Sequence, residues 1–312
     1  MIPLAEIEAA RGRIAGAAVR TPLVRLPETD IWLKLENLQP VSSFKIRAAT
    51  NAIRAASPDE LKGGVVTASA GNMAQGVAWA AREAGVPATI ICPDGAPQTK
   101  LDRIERLGGR VIKVPFDRWW DTIVESRFDG VDGHFVHPVQ DPLVMAGNGT
   151  IGLELVEDLP DVDTVLIPFG GGGLSTGIAS AVKALRPGVR VYGVDPEPGP
   201  ALSSAFAAGE PVTVEYVPSF VDGSGSRGVL EAMWPYLSDA LDGAHVASLD
   251  ETADAVRLMA ERVRVVAEGA GALALAIALS GRAGGGKIAC IVSGGNIDSA
   301  VLAQILAGET PR

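Results

Sequence analysis

The sequence predicts an α/β protein whose parallel-rich open sheets carry helices on both faces. From Gly63 onward, short apolar runs alternate with longer helical stretches, which is the pattern of repeated β-α-β units with right-handed crossovers. Three of the apolar runs end in turns rich in glycine and small polar residues, at 69–76, 169–177 and 293–296. Ligands collect at the carboxyl edge of such sheets, so we expect a binding site there.

The length and pattern of the chain predict two lobes. A chain of 312 residues exceeds the usual size of one domain. The β-α repetition is regular in the middle of the chain and ends in a return segment that begins at His134. We expect residues 1–60 and 142–312 to form a large domain, with residues 61–141 inserted as a small one. The cleft between two such lobes is the default ligand site.

Each element follows from the spacing of its apolar residues. Alternation or a continuous apolar run predicts strands at 31–35, 65–68, 88–92, 110–114, 164–168, 190–194, 245–249 and 287–292. Helical spacing predicts helices at 4–15, 48–53, 74–83, 98–107, 119–126, 149–158 and 178–185, with others between about 200 and the strand at 245. We expect Asp250 to cap a helix that begins at Glu251.

Composition and charge narrow the classes of partner. The net charge is −10, from 27 Lys and Arg against 37 Asp and Glu, and no basic stripe suggests nucleic acid or an anionic membrane. Cys92 and Cys290 each end an apolar run, as buried thiols in a reducing compartment do. The histidines 134, 137 and 245 lack metal-ligand spacing. Without a signal peptide or an apolar run of about 20 residues, a cytoplasmic protein is expected.

Lys45 is the first candidate for chemistry, because it stands at the start of a helix just after a Ser-Ser turn. Backbone N–H groups and the positive end of the helix dipole disfavour an ammonium group at that position. A neutral amine can attack a carbonyl, so Lys45 is a candidate for Schiff-base chemistry. Most lysines in this setting are solvated residues of a helix terminus, and the assignment therefore needs support from elsewhere in the chain.

Four consecutive glycines, Gly170 to Gly173, follow an apolar strand and open a helix. Their N–H groups can converge on one anion, and the helix dipole adds to the attraction. The spacing fits neither the dinucleotide fingerprint nor the P-loop. A tight strand-to-helix turn alone rarely needs four glycines, so we interpret the segment as a phosphate site.

Two more turns offer polar groups at strand ends. The turn that begins at Ser69 would expose backbone N–H groups to a carboxylate, and Asn72 could donate a hydrogen bond to a ring oxygen. Ser293 could meet a heterocyclic nitrogen without protonating it. Each turn, taken alone, is equally well an ordinary cap between a strand and a helix.

One ligand has a chemical group to match each of the four features, which are Lys45, the four glycines, Asn72 and Ser293. Pyridoxal phosphate carries an aldehyde, a phosphate, a phenolic oxygen and a ring nitrogen. The sequence resembles the fold-type II pyridoxal-phosphate enzymes, with a tryptophan synthase β-like fold, in the branch of threonine/serine dehydratases and serine racemases. The motifs that carry the resemblance run through nearly the whole chain in family order: Arg20–Leu23, Glu36–Gln39, Ser43–Arg47, Ser69–Asn72, Asp141–Pro142, Ala146–Gly147, Gly149–Ile151, Gly170–Gly173, Glu268, Gly271 and Ser293–Asn296.

The resemblance implies a role for each candidate residue. Lys45 would hold the cofactor as a Schiff base and, once the substrate has displaced it, would remove the α-proton of a β-hydroxy amino acid such as L-threonine or L-serine. Loss of water and hydrolysis would then give a 2-oxo acid and ammonia. The residues implied in cofactor binding are Phe44 against the ring, Lys45, Asn72 at the ring hydroxyl, Gly170, Gly171, Gly172, Gly173 and Leu174 at the phosphate, and Ser293 at the pyridine nitrogen. Those implied in substrate binding are Ser69, Ala70, Gly71, Asn72 and Met73.

The chain departs from the family pattern at several positions. Racemases of this branch have a second serine where this chain has Ala70, and alanine cannot move a proton, so a dehydratase is favoured. Met73 replaces a usual histidine and Val41-Ser42 a usual Thr-Gly, which leaves open a bulkier β-hydroxy amino acid as substrate. The metal site of the racemase-like members would begin at Asp195, but its partner position falls near Ala201, so no metal is expected.

Three alternatives remain open from sequence. The chain could be another enzyme of the same fold, such as a racemase or a β-replacement synthase, although synthases usually have Lys-Asp-Arg where this chain has Lys45-Ile46-Arg47. It could act on an unusual hydroxy amino acid. It could also bind the cofactor without catalysis. We expect a homodimer, as in the family, and no C-terminal regulatory domain, because only about one helix follows Asn296.

Overall fold

A computed structural model describes all residues from 1 to 312, and it contains ten β-strands and twelve α-helices. The strands are β1 (Leu23–Arg25), β2 (Ile31–Leu35), β3 (Val65–Ala68), β4 (Ala88–Pro93), β5 (Gly109–Val114), β6 (His134–Phe135), β7 (Thr164–Pro168), β8 (Arg190–Pro196), β9 (Gly243–Ala247) and β10 (Ile288–Val292). The helices are α1 (Leu4–Arg13), α2 (Lys45–Ala55), α3 (Asn72–Ala84), α4 (Gln98–Arg106), α5 (Phe116–Glu125), α6 (Pro142–Asp158), α7 (Gly173–Leu185), α8 (Ala201–Ala208), α9 (Trp234–Ala240), α10 (Leu249–Leu258), α11 (Gly269–Leu279) and α12 (Ser299–Leu306). No helix is both long and apolar enough to cross a membrane.

The strands form two sheets. The larger has six strands in the order β1-β2-β10-β7-β8-β9, and only β1 runs antiparallel to its neighbour. The smaller has four strands in the order β5-β4-β3-β6, all of them parallel. The predicted α/β class with parallel-rich sheets is confirmed. The domain boundaries at 61 and 142 stay a prediction, because the apolar cluster around the small sheet also takes in Ala52 and Val144.

Helices cover both faces of the large sheet because successive strand residues point to opposite sides. Val165 and Ile167 belong to the apolar cluster that includes residues of α6 and α7. Leu166 and Cys290 belong to a second cluster on the other face, which includes most of α11. A strand buried on both faces is continuously apolar, as β7 and β10 are.

Several predicted element boundaries are wrong. Helix α6 begins at Pro142, seven residues before the predicted start, because the Asp141 side chain caps it by accepting from the Leu143 N–H. Ser248, and not Asp250, caps α10, in a capping box with Glu251. Strand β9 accordingly ends at Ala247. Helix α11 was not predicted, because it is apolar almost all round and therefore has no helical periodicity.

Glycines let three helices approach closely enough to fix the site. A Cβ on Gly147 of α6 would lie 2.5 Å from the Arg47 carbonyl oxygen of α2. A Cβ on Gly177 of α7 would lie 2.2 Å from the Met145 carbonyl oxygen of α6. Helix α6 therefore packs against the backbones of both α2, which begins at Lys45, and α7, which follows the glycine turn.

This packing predicts the effect of Gly177→Ala. The added methyl has no space, so overpacking should lower the free energy of unfolding by about 2 kcal/mol, despite the helix propensity of alanine, which favours it by about 1 kcal/mol. Gly12→Ala in α1 is the matched control, since its Cβ would meet nothing within 4 Å. That change should be neutral or stabilising. Urea unfolding of both variants checks the prediction, and equal midpoints would contradict it.

Candidate active site

A cavity of about 700 Å³ opens where the carboxyl ends of strands from both sheets meet. The segments that follow β3, β4, β5, β7 and β10 all contribute to its wall. Every residue predicted for the site lines it: Phe44, Lys45, Ser69, Ala70, Gly71, Asn72, Met73, Gly170, Gly171, Gly172, Gly173, Leu174 and Ser293. Residues more than 240 positions apart in the chain are thus brought into one cavity.

Lys45 is the first residue of α2, and the end of β10 fixes its position. The Phe44 N–H donates to the Ser293 carbonyl oxygen at 3.0 Å, and a bridge joins Ser43 to Gly294. The Lys45 Nζ donates to the Pro138 carbonyl oxygen at 3.2 Å and lies 4.9 Å from the Phe44 ring centroid. Burial lowers the pKa of Lys45 to about 8, so a neutral amine is accessible near physiological pH.

The lowered pKa of Lys45 can be measured directly in the protein without its cofactor. An acylating reagent attacks only the neutral amine, and the fraction of Lys45 that is neutral increases as the pH rises through the pKa. Labelling of Lys45 should therefore reach half of its maximal rate near pH 8. Peptide mass spectrometry after short exposure at a series of pH values gives this rate. A midpoint above pH 10 would show that the amine is solvated, as a helix-terminus lysine would be.

The glycine turn offers an anion site beside Lys45. Helix α7 begins at Gly173, and its N-cap, Gly172, has φ +97° and provides no side-chain cap. The first N–H groups of a helix have no partner within the helix, so these are free to bind an anion. A Cβ on Gly171 would lie 2.4 Å from Val139 Cγ2, so the turn packs directly on the residue after Pro138.

Helix α3 also begins at the cavity without a side-chain cap. Its N-cap is Gly71, which follows Ser69 and Ala70 in the cavity wall. The Asn72 Nδ2 donates to Glu268 Oε1 at 2.7 Å, and Asn72 Oδ1 accepts from Asn296 Nδ2 at 2.8 Å. The amide keeps a second hydrogen for a ligand, because Nδ2 carries two. The predicted donor is therefore held in place by two neighbours.

Ser293 directly follows β10 and lines the cavity. Its carbonyl oxygen accepts from the Phe44 N–H, while its hydroxyl is left for a ligand. A buried lysine, a free amide hydrogen, a serine hydroxyl and two uncapped helix starts fit the aldehyde, hydroxyl, ring nitrogen, phosphate and substrate carboxylate of a pyridoxal-phosphate site. The residues present thus fit that cofactor.

Comparison with known proteins agrees with this geometry. The family described as "Pyridoxal-phosphate dependent enzyme" matches residues 14–294. The chain belongs to this family of enzymes, and pyridoxal phosphate is its cofactor. It is 40% identical to an L-threonine ammonia-lyase of Thermotoga maritima over 98% of this chain and 78% of that one. It is 36% identical to a serine racemase of Oryza sativa subsp. japonica over 96% and 92% of the two chains.

Solved structures of a serine racemase and a threonine deaminase are similar to this pyridoxal-phosphate enzyme over nearly its whole chain. Maize serine racemase has a TM-score of 0.89 and 32% identity, covering 98% of this chain and 97% of that chain. The processed form of threonine deaminase isoform 2 from Solanum lycopersicum has the same TM-score and identity, covering 98% and 87%. The predicted fold-type II family, in its threonine/serine dehydratase and serine racemase branch, is confirmed.

Two side chains were given no role from sequence, Glu268 in the cavity wall and His137 behind the loop that contacts Lys45. Glu268, the N-cap residue of α11, lines the cavity, and burial together with Asp222 raises its pKa to about 7. His137 Nδ1 accepts from the Val139 and Gln140 N–H groups, each at 3.0 Å. Burial lowers the pKa of His137 to about 4, so its imidazole stays neutral and holds the loop that contacts Lys45.

Only weak sequence signals point to these two residues. Glu268 appears only as a motif position before an apolar helix, and His137 only as one of three unclustered histidines. Asp195, where the family's metal site would begin, instead accepts from the Leu202 and Ser203 N–H groups at the start of α8. No group of three or more His, Cys, Asp or Glu side chains is placed to hold a metal ion.

Proposed function

We propose that this enzyme removes water from a β-hydroxy amino acid such as L-threonine or L-serine, releasing a 2-oxo acid and ammonia. The observation that carries the proposal is the buried Lys45 amine, with a pKa of about 8, in one cavity with two uncapped helix starts. L-threonine ammonia-lyases are among its relatives over 98% of the chain. The proposal assigns threonine or serine deamination to that site.

The cofactor would be held by residues that follow strands of the large sheet, together with the starts of α2, α3 and α7. Gly170 to Leu174 would bind its phosphate through backbone N–H groups, Ser293 would meet the ring nitrogen, and Asn72 would donate to the ring hydroxyl. Phe44 would pack on the ring beside Lys45. When bound, pyridoxal phosphate supplies an electron-withdrawing ring that stabilises negative charge at the substrate Cα.

The substrate carboxylate would lie at the start of α3. The segment from Ser69 to Met73 surrounds the N-cap Gly71, and no side chain competes for the first N–H groups of the helix. The helix dipole favours an anion there. Binding the carboxylate at this point would orient the Cα hydrogen of the substrate, which is the atom that must be removed.

Lys45 would act as the general base. With a pKa of about 8, about one tenth of the amine is neutral at pH 7, whereas an ordinary lysine is almost fully charged. The hydrogen bond to the Pro138 carbonyl oxygen, with the loop behind it held by His137, would keep Nζ at a fixed place beside the substrate. Nζ would take the Cα proton, and the β-hydroxyl would leave as hydroxide, which together with that proton makes the one water lost.

Ala70 decides between dehydration and racemisation. Inversion at Cα needs a proton donor on the face opposite Lys45, and the methyl of Ala70 cannot supply one. We therefore expect 2-oxo acid to exceed inverted amino acid at every time point with L-serine and L-threonine. Chiral chromatography combined with a 2-oxo acid assay on the cofactor-loaded enzyme measures both products. Inversion faster than 2-oxo acid formation would assign the enzyme to the racemases.

The enzyme would act as a cytoplasmic homodimer. Cys92 and Cys290 are both buried and free, as a reducing compartment allows. Leu38 and Val266 are exposed apolar residues on two segments that are joined by the hydrogen bond from Asn37 Nδ2 to the Val266 carbonyl oxygen at 2.9 Å. We propose this surface as the subunit contact. Light scattering after gel filtration would give the mass, and a mass near 32.2 kDa would mean a monomer.

A further inference from the structure

Two of the four aromatic residues that line the cavity stand close together on α5. The chain has 15 aromatic residues among 312, from five Trp, three Tyr and seven Phe. Three of them, Phe116, Trp119 and Trp120, lie within five positions of α5. Phe116 and Trp119 line the cavity with their ring centroids 5.5 Å apart, whereas Trp120 does not line it. The proposed threonine or serine substrate has no group large enough to use such a wall.

The sheet topology places this wall at a defined distance from the proposed carboxylate site. Ser69 to Met73 follows β3, and α5 begins two residues after β5, with β4 between these two parallel strands. Two strand spacings place the ends of β3 and β5 about 10 Å apart. The segment between, which follows β4, carries only Asp94, Gly95, Ala96 and Pro97 and leaves the space open. A methyl group cannot span that gap, and an aromatic side chain covers much of it.

The charges of the cavity argue for an uncharged side chain. Its only cationic residues are Lys45 and Lys100, and Lys100 already forms an ion pair with Asp222. A side-chain carboxylate on the substrate would therefore find no free cation. Met73, which is 2% exposed, adds an apolar group next to the carboxylate turn.

Resting on the proposed dehydration, we propose that Phe116 and Trp119 select a β-hydroxy amino acid with an aromatic or large apolar group on Cβ. In this reaction the Cα–H and Cβ–O bonds break and the Cα=Cβ bond forms. Lys45 takes the Cα proton, and this proton with the hydroxide that leaves Cβ makes one water. The water lost is regained when the product hydrolyses. L-threo-phenylserine would thus give phenylpyruvate and ammonia, without any oxidant or reductant.

The test compares kcat/KM for L-threo-phenylserine and L-threonine in the cofactor-loaded enzyme. The ratio should favour phenylserine by about tenfold or more, and Phe116→Ala should lower that ratio by about tenfold, the usual cost of lost apolar contacts. Phe116 is 56% exposed, so its loss should not unfold the protein. Trp120→Ala is the matched control on the same helix and should leave the ratio unchanged. A preference for threonine, or equal effects of the two substitutions, would overturn the proposal.

Dissociation constants test the aromatic selection separately from the proposed dehydration. L-Phenylalanine and L-alanine lack the leaving hydroxyl, and their dissociation constants can be read from the absorption of the bound cofactor. Phenylalanine should bind about tenfold more tightly, and Phe116→Ala should remove the difference. Absence of any 2-oxo acid would refute dehydration while this binding result stands. Turnover of threonine with equal binding of the two amino acids would refute only the aromatic selection.

Discussion

Lys45→Ala is expected to lower the production of 2-oxo acid by about 10³-fold or more, because it removes the general base of the reaction. The Lys45 side chain makes one hydrogen bond to the protein, to the Pro138 carbonyl oxygen. The variant should therefore keep its melting temperature. Assay of 2-oxo acid together with thermal unfolding separates loss of the base from loss of the fold.

Two further variants sharpen this prediction. Lys45→Arg keeps a cation in the same place but cannot become neutral, so it should be as inactive as the alanine variant. Lys62→Ala, whose side chain is 77% exposed, should retain full activity. Substantial turnover by Lys45→Arg would mean that another group removes the proton.

Arg47→Met is expected to lower the free energy of unfolding by about 3–5 kcal/mol, because it takes from the buried Glu36 carboxylate its only ion-pair partner and leaves Glu154 paired with Lys34 alone. Arg47 is 1% exposed and donates to Glu36 Oε2 at 2.8 Å and to Glu154 Oε1 at 2.6 Å. Burial raises the pKa of Glu36, but the Arg47 guanidinium, together with Thr21 and Lys34, outweighs burial and holds that pKa below its ordinary value. Without Arg47, Glu36 should protonate at a higher pH or admit water.

Arg54→Met is the matched control for this prediction on the same helix. Arg54 is exposed and donates only to the backbone carbonyl oxygens of Arg13 and Ala15, so its loss should cost less than about 1 kcal/mol. Chemical unfolding of both variants gives the comparison. Equal losses would mean that the buried network contributes no more than an ordinary surface contact.

The local parts of the site could be predicted from sequence. Lys45, the turn after Ser69 and the glycines from Gly170 each follow a strand and precede a helix, and such patterns are complete within about ten residues. A parallel sheet then brings its strand ends together at one edge. That rule brings Lys45 and Gly170 to one edge of the large sheet, while the turn after Ser69 follows a strand of the small sheet and joins them only through the predicted cleft between the two lobes.

Contacts between distant segments could not be predicted. The Pro138–Val139 loop meets both Lys45 and Gly171, and nothing in its composition marks it as part of the site. The link from Asn72 to Glu268 joins residues 196 positions apart. Such pairings depend on the packing of whole elements, which periodicity along the chain does not describe.

The predicted starts of α6 and α10 are wrong because a side chain caps each helix at a position that the apolar spacing does not indicate. Asp141 caps α6 and starts it seven residues earlier than its apolar spacing indicates. Ser248 precedes Asp250 and, with Glu251 three residues later, satisfies the pattern of a capping box. The capping-box spacing was present in the sequence, and it is a stronger signal for the start of α10 than the single aspartate.

The most direct test of the proposed activity is the stoichiometry of products from L-threonine. The cofactor-loaded enzyme should release 2-oxobutyrate and ammonia in equal amounts, and Lys45→Ala should release neither. Both products can be followed in one reaction with separate coupled assays. An enzyme that holds its cofactor yet releases neither product from threonine, serine or phenylserine would contradict the account.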